Sequence, residues 1–213
     1  MGTAQDGKSI TMIIMWQYLV FVGAAVNLVG YAYYLKDTLW GDSKPNRVTW
    51  LLWSLNPLIA FGAEMAAGTG LATVPVFIAG IGPLLVLAAS FASKKAYWRL
   101  ALFDYVCGSI SIVALFLWAL TANPGAAIVF AIISDVFAVI PTLIKCWRYP
   151  ETETGLFYVA GLFCALTSFA AIKVWVFSAY AFPAYLAIAS AALTFSVYGK
   201  KLNFARKNRF VWR

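Results

Sequence analysis

Residues 124–148 read PGAAIVFAIISDVFAVIPTLIKCWR. The run 124–145 is apolar apart from Ser134, Asp135, Thr142 and its last residue Lys145, and Arg148 follows. About 20 such residues, rising about 1.5 Å each, cross roughly 30 Å of hydrocarbon. Lipid offers the backbone no hydrogen-bond partner, so the run must be a helix. Its charge sits at one end, with a single carboxyl near the centre.

Working outward, six further runs have the same character: 11–36, 47–66, 71–93, 98–120, 155–172 and 175–199. The stretch 155–199 is too long for one helix, so a tight turn is expected at Lys173 and Val174. Composition agrees. The chain is 63% hydrophobic and 11% charged, more apolar surface than a soluble domain of 213 residues can hide. The alternation that marks an outer-membrane barrel is absent. The stretch Met1–Ser9 is short and polar. The first run is too long for a signal peptide and lacks a small-residue cleavage site, so it is read as a helix.

The basic residues fall in alternate gaps. Lys36, Lys44 and Arg47 lie in the first gap, Lys94, Lys95 and Arg99 in the third, and Lys145 and Arg148 in the fifth. The tail carries Lys200, Lys201, Arg206, Lys207, Arg209 and Arg213. The other side has only Lys8 and Lys173. The positive-inside rule then places the C-terminus in the cytoplasm and the N-terminus outside, which requires an odd number of spans. The expected location is a cytoplasmic membrane, taken as bacterial from small size and the lack of sorting signals. The net charge of +8 is accounted for by topology and anionic headgroups, with no need for nucleic acid. The tail, with Phe204, Phe210 and Trp212 interleaved, is expected along the inner leaflet, or alternatively on a partner.

Spans 1–3 resemble spans 5–7. Ser90–Lys95 ends the third span much as Ser196–Lys201 ends the seventh, and Asn27 precedes Lys36 as Asp135 precedes Lys145. A shift of four spans keeps both halves in one orientation, so these are parallel repeats with span 4 as linker. The expected fold is an all-α membrane protein of seven transmembrane helices. It divides into a first triple-helix repeat (1–93), a linker helix (94–123), a second triple-helix repeat (124–199) and a basic tail (200–213). Such repeats place a substrate site at their interface near the midplane.

Pro141-Thr142-Leu143-Ile144-Lys145-Cys146-Trp147-Arg148, followed by Glu151–Leu156, resembles the PQ-loop motif, with Thr142 where Gln would stand. In the first half Tyr34-Leu35-Lys36 and Lys44–Trp50 occupy the equivalent places. Three-plus-one-plus-three architecture with this loop resembles the SWEET and PQ-loop transporter superfamily over essentially the whole chain. The resemblance implies a carrier, facilitative or proton-coupled, that moves a small polar solute by alternating access. The Asn that contacts sugar in SWEET third helices has no counterpart in spans 3 and 7, so sugar, nucleoside or vitamin, and amino acid all stay open. Trp50–Asn56 is reminiscent of the tryptophan-rich helix of nicotinamide riboside carriers.

Polar groups in hydrocarbon are costly and mark candidate sites. Asp135 is the candidate proton carrier, since desolvation opposes its charge; alternatively it bonds a neighbouring helix for structure. Asn27, Tyr31 and Tyr34 share one face of span 1, either lining a cavity or gluing helices. Trp50, Trp53 and Pro57 share a face of span 2 with Asn56 beside it, and a flat aromatic wall binds rings. Trp50 reads equally as an interfacial belt residue. The proposed substrate-binding set is therefore Asn27, Tyr31, Trp53, Asn56 and Asp135. Pro57 and Pro141 each break an intrahelical bond, freeing the carbonyls of Trp53 and Phe137, and are the candidate hinges. Pro83 and Pro183 pose the same question in the third helices. Gly161, Cys164 and Ser168 on span 6 suggest close helix contact. Asp104 is expected to pair with Arg99, and Glu64 to sit near the outer interface or act as an outer gate.

The absence of His excludes imidazole catalysis and His-ligated metal. Cys107, Cys146 and Cys164 form no metal-spaced pair and are expected as free thiols. Span 7 has no Lys before Lys200, so a retinal Schiff base is not expected, and no nucleophile–base pair suggests an intramembrane enzyme. No cofactor or metal is expected. The expected partners are a small polar solute and membrane lipids, with homo-oligomers left open. The competing reading is a non-transporting scaffold or sensor whose basic tail binds lipid or a partner.

Overall fold

The structure is a computed structural model. It describes residues 3–66, 74–120, 124–172 and 175–209, with side chains chiefly over 18–58, 77–117, 128–170 and 180–199. Among the described residues every regular element is helical. Seven α-helices run in order: α1 (Thr3–Trp40), α2 (Arg47–Ala66), α3 (Val74–Ala92), α4 (Leu102–Leu120), α5 (Pro124–Arg148), α6 (Gly155–Ser168) and α7 (Phe177–Arg209). Each falls on one of the seven apolar runs. Three contain segments long and apolar enough to cross a membrane: Tyr18–Trp40, Ile128–Arg148 and Tyr180–Gly199. Phe77–Ala92, Leu102–Leu117 and Gly155–Ser168 are apolar but shorter.

Both terminal helices outrun their apolar segments. α1 begins at Thr3, so most of the polar N-terminal stretch is helical. α7 continues to Arg209, carrying most of the basic tail as an extension of the helix rather than a separate segment. The reason is local: Lys200–Arg209 contains no Gly or Pro and is rich in Lys, Arg, Leu and Ala, which favour helix. The expected turn at Lys173 and Val174 lies outside the described residues.

The helix ends that matter most are capped by sequence. Gly41, at φ +89°, takes the left-handed conformation that ends α1, and the amides of Gly41 and Asp42 return to the Asp37 carbonyl at 2.9 and 2.8 Å. Asn46 starts α2: its Oδ1 accepts from the amides of Val48 and Thr49 at 3.1 and 3.4 Å. α5 stops two residues before Pro150.

Six helices close a ring. α1 packs on α3 and α6, α2 on α3 and α5, and α7 on α5 and α6. The order around the ring is therefore α1, α3, α2, α5, α7, α6. The core lies inside it: Tyr34, Trp50, Val86, Val139, Phe157 and Leu193 come one from each ring helix. α4 contributes nothing to this cluster. It lies outside, against α5 and part of α2, and exposes Phe103, Val106, Val113 and Phe116. A close helix approach uses a glycine. A Cβ on Gly30 would stand 2.9 Å from the Ala160 Cβ and 3.3 Å from the Phe157 Cα, so α1 and α6 touch nearly backbone to backbone.

Candidate functional site

The site is built in three layers, beginning at the end of the ring that holds the basic loops. There the α1–α2 loop (41–46) meets the α5–α6 loop (149–154). Lys145, near the end of α5, and Glu153 form a buried ion pair at 2.5 Å. The Lys145 ammonium also donates to the Lys44 carbonyl, reaches the Thr152 carbonyl at 3.5 Å, and lies 4.7 Å from the Trp98 ring centre. The second Glu153 oxygen accepts from Tyr34 at 2.7 Å and from Tyr158 at 2.6 Å. A buried pair is tolerable only when its remaining donors and acceptors are met, as they are here. Further bonds close the same end. Thr154 donates to Asp37 at 2.6 Å, Asn46 to Asp104 at 2.7 Å, and the Arg47 guanidinium to the Ser90 carbonyl at 2.6 Å. The layer thus ties α1 to α6 and α5 to the start of α2.

An aromatic layer lies next. Tyr34 and Trp50 have ring centres 4.5 Å apart, Trp50 and Phe157 5.2 Å, Tyr31 and Phe157 4.9 Å, and Trp50 and Trp53 5.4 Å. Beside it the Thr49 hydroxyl donates to the Ala138 carbonyl at 2.7 Å, and Thr142 donates to Thr49 at 2.9 Å. The Ala138 carbonyl is one residue on from the Phe137 carbonyl that Pro141 cannot bond. α2 therefore grips α5 at its proline turn.

The third layer holds the polar residues singled out from sequence. Asn27 is ten residues before Asp37, Asp135 ten before Lys145, and Asn56 ten after Asn46. Each is thus about 15 Å along its helix from the loop layer. Tyr185 on α7 donates to the Asp135 carboxylate at 2.7 Å. Tyr31 faces the Asn27 side chain and lies within electrostatic reach of Asp135 and Cys164. Among the described residues, Asn27 Oδ1 and both polar atoms of the Asn56 amide are buried with no hydrogen-bond partner. Trp50 Nε1 is also buried and unbonded, and so is the Thr194 hydroxyl. Most buried polar groups find partners, so this grouping calls for an explanation.

No family model, no curated protein and no solved structure matches the chain. The site must therefore be read from its own chemistry.

Of the expected site residues, the structure brings Asn27, Tyr31 and Asp135 within reach of one another, and sets Trp53 against the aromatic layer that Tyr31 also touches. Asn56 lies at the same depth on α2. Pro57, Pro83, Pro141 and Pro183 all lie inside continuous helices. Trp50 is fully buried in the core and is no belt residue. Asp104 does not pair with Arg99: it accepts from Asn46 and from the Ala101 amide at 2.5 Å, because it stands in the first turn of α4 and binds nearby N–H groups. The side chains of Glu64 and of the tail lie outside the described set. The three thiols are free. Gly161 contacts Ser190 of α7, as the small-residue stripe suggests. Ser134 faces α4, bonding Ser111 at 2.9 Å, rather than sharing the layer of Asp135.

In the sequence Lys145 marks topology and stands in the PQ-loop-like stretch with Glu153, but neither of these, nor Tyr158 or Tyr185, stands out there as a site residue. A carboxylate in a basic loop of a chain with eight acidic residues was the available signal for Glu153.

Proposed function

We propose that the chain is a membrane carrier of a small polar solute, working by alternating access between two triple-helix repeats. The observation that carries this reading is the third layer: buried amide atoms of Asn27 and Asn56 without partners, level with a carboxyl group, in a ring of six helices. A scaffold has no use for unpaired polar groups at that depth, whereas a solute-binding site does.

Two regularities support the repeat. α1 ends at Trp40 and α2 begins at Arg47, while α5 ends at Arg148 and α6 begins at Gly155, a shift of 108 at both ends of the loop. Helix neighbours follow the same shift: α1–α3 answers α5–α7, α2–α3 answers α6–α7, and α1–α6 answers α5–α2. The ring order is consistent with a twofold axis along the membrane normal, and the charge pattern supports seven spans with the N-terminus outside and the C-terminus in the cytoplasm, which we place in a bacterial inner membrane. This is the arrangement that the resemblance to the SWEET and PQ-loop superfamily implies.

On this reading the structure is the state closed toward the basic loops. Lys145, Glu153, Tyr34 and Tyr158 form the closure, and the aromatic layer backs it. Opening requires α1–α6 and α2–α5 to part at this end, with Pro57 and Pro141 as hinges. Asn27, Tyr31, Trp53, Asn56 and Asp135 hold the solute, and Asp135 carries a proton where transport is coupled.

The test is solute-dependent thermal stabilisation of the purified chain against sugars, nucleosides, amines and amino acids. A carrier responds to at least one class and moves that solute in vesicles. Silence across the panel favours the scaffold reading. In vesicles, Asp135→Asn is expected to remove any proton-driven part of uptake. Full, pH-dependent uptake by that variant contradicts proton coupling through Asp135.

A further inference from the structure

Charge and aromatic surface in the third layer point the same way. Residues 9–35, 48–93, 100–144, 149–172 and 174–199 contain no Lys or Arg. The acidic residues in these stretches are Glu64, Asp104, Asp135, Glu151 and Glu153. Asp104 and Glu153 are held in the loop layer, and Glu151 stands in the loop itself. Asp135 and Glu64 remain, both carboxyl groups with no Lys or Arg in their own stretches of chain. A site with a carboxyl and no cation repels anions.

The free hydrogen-bonding capacity includes two amide oxygens beside the donors Asn56 Nδ2 and Trp50 Nε1. Asn27 Oδ1 and Asn56 Oδ1 are unpartnered, and Tyr185 bonds Asp135 through Oδ2. A primary ammonium group, which only donates, can engage the two amide oxygens of this set. The neighbouring rings complete it. Tyr31 and Trp53 are only half-buried, unlike Tyr34 and Trp50, which are sealed in the core. Aromatic faces carry negative potential, and a carboxylate beside them reinforces it. A buried carboxylate without a counter-charge is costly, and a bound cation relieves that cost.

Resting on the carrier reading, we propose that the site formed by Asn27, Tyr31, Trp53, Asn56 and Asp135 takes a monovalent organic cation, an ammonium-bearing solute.

The purified full chain is melted in choline, ethanolammonium or methylguanidinium chloride, with sodium chloride matching ionic strength. The controls are sodium acetate and 3,3-dimethyl-1-butanol, the neutral isostere of choline. At least one cation is expected to raise the melting temperature saturably. Choline, where it responds, should reach half-saturation at about tenfold lower concentration than its isostere, the factor expected from cation–π and charge attraction. Asp135→Asn should abolish the cation response, and Tyr185→Phe, which keeps the carboxylate, should retain it. The wild-type comparison of choline with its isostere stands without either variant. An isostere that works as well as choline, or a stronger response to acetate, overturns the cation class. Silence toward every cation overturns it too. In these cases the carrier reading stands or falls separately, on the wider solute panel.

Discussion

Glu153 has every acceptor it can use engaged, and its three partners lie on three helices. Lys145 comes from α5, Tyr34 from α1 and Tyr158 from α6. Removing one member of such a buried pair strands the other. Glu153→Gln is expected to destabilise the chain by about 3–5 kcal/mol, measured by denaturant unfolding in detergent. Replacing Lys145 and Glu153 together by Met should cost less than either single change, because no charge is then left alone. A smaller loss for Glu153→Gln than for the double variant would mean the pair is not buried as described. Tyr185→Phe removes a single bond to Asp135 and should cost about 1 kcal/mol by the same measurement. These residues illustrate what a sequence hides. Asp135 stood out because it is one charge in an apolar run. Glu153 did not, because a loop acid reads as solvated until the fold brings Tyr34 to it from 119 residues away.

At the scale of elements, the α1–α6 and α2–α5 interfaces are built differently. α1 and α6 close on Gly30 against Ala160, and on Gly23 against Thr167. α2 and α5 close on hydroxyl bonds, Thr49 to Ala138 and Thr142 to Thr49. Gly30→Val must push the two helices apart, and a loss of about 1–3 kcal/mol is expected on unfolding. Thr49→Val keeps the shape and removes two bonds, so a loss nearer 1 kcal/mol is expected. If Gly30→Val proves as mild as Thr49→Val, the α1–α6 contact is looser than the structure has it. Helix positions were legible in the sequence because hydrophobic length alone determines them. The exceptions were at the ends. α7 ran past its span because nothing in Lys200–Arg209 stops a helix, and Asp104 turned to Asn46 because the nearest N–H groups outcompeted a flexible arginine.

At the scale of the molecule, six helices enclose the core and α4 stays outside. That division was partly legible: span 4 had no counterpart in the expected repeat, and among the described residues its substantial helix packing is with α5 and α2 alone. The depth of Asn27, Asn56 and Asp135 was legible too, since each lies ten residues from a loop-layer residue. The meeting of the two basic loops was not, because it depends on loop-to-loop contacts such as the Lys44 amide with the Thr152 carbonyl at 3.0 Å. The central claim is that this end opens and shuts. Cys146 reports on it directly: it is fully buried under the closure, beside Tyr158 and the Lys145–Glu153 pair. With Cys107 and Cys164 replaced by Ser, a small membrane-impermeant thiol reagent is applied from the side of the basic loops. Modification of Cys146 should be slow in the otherwise unchanged chain, and faster by at least about tenfold once Glu153→Gln or a bound solute shifts the equilibrium toward the open form. Rapid labelling of the unchanged chain, or no acceleration by either change, would contradict it.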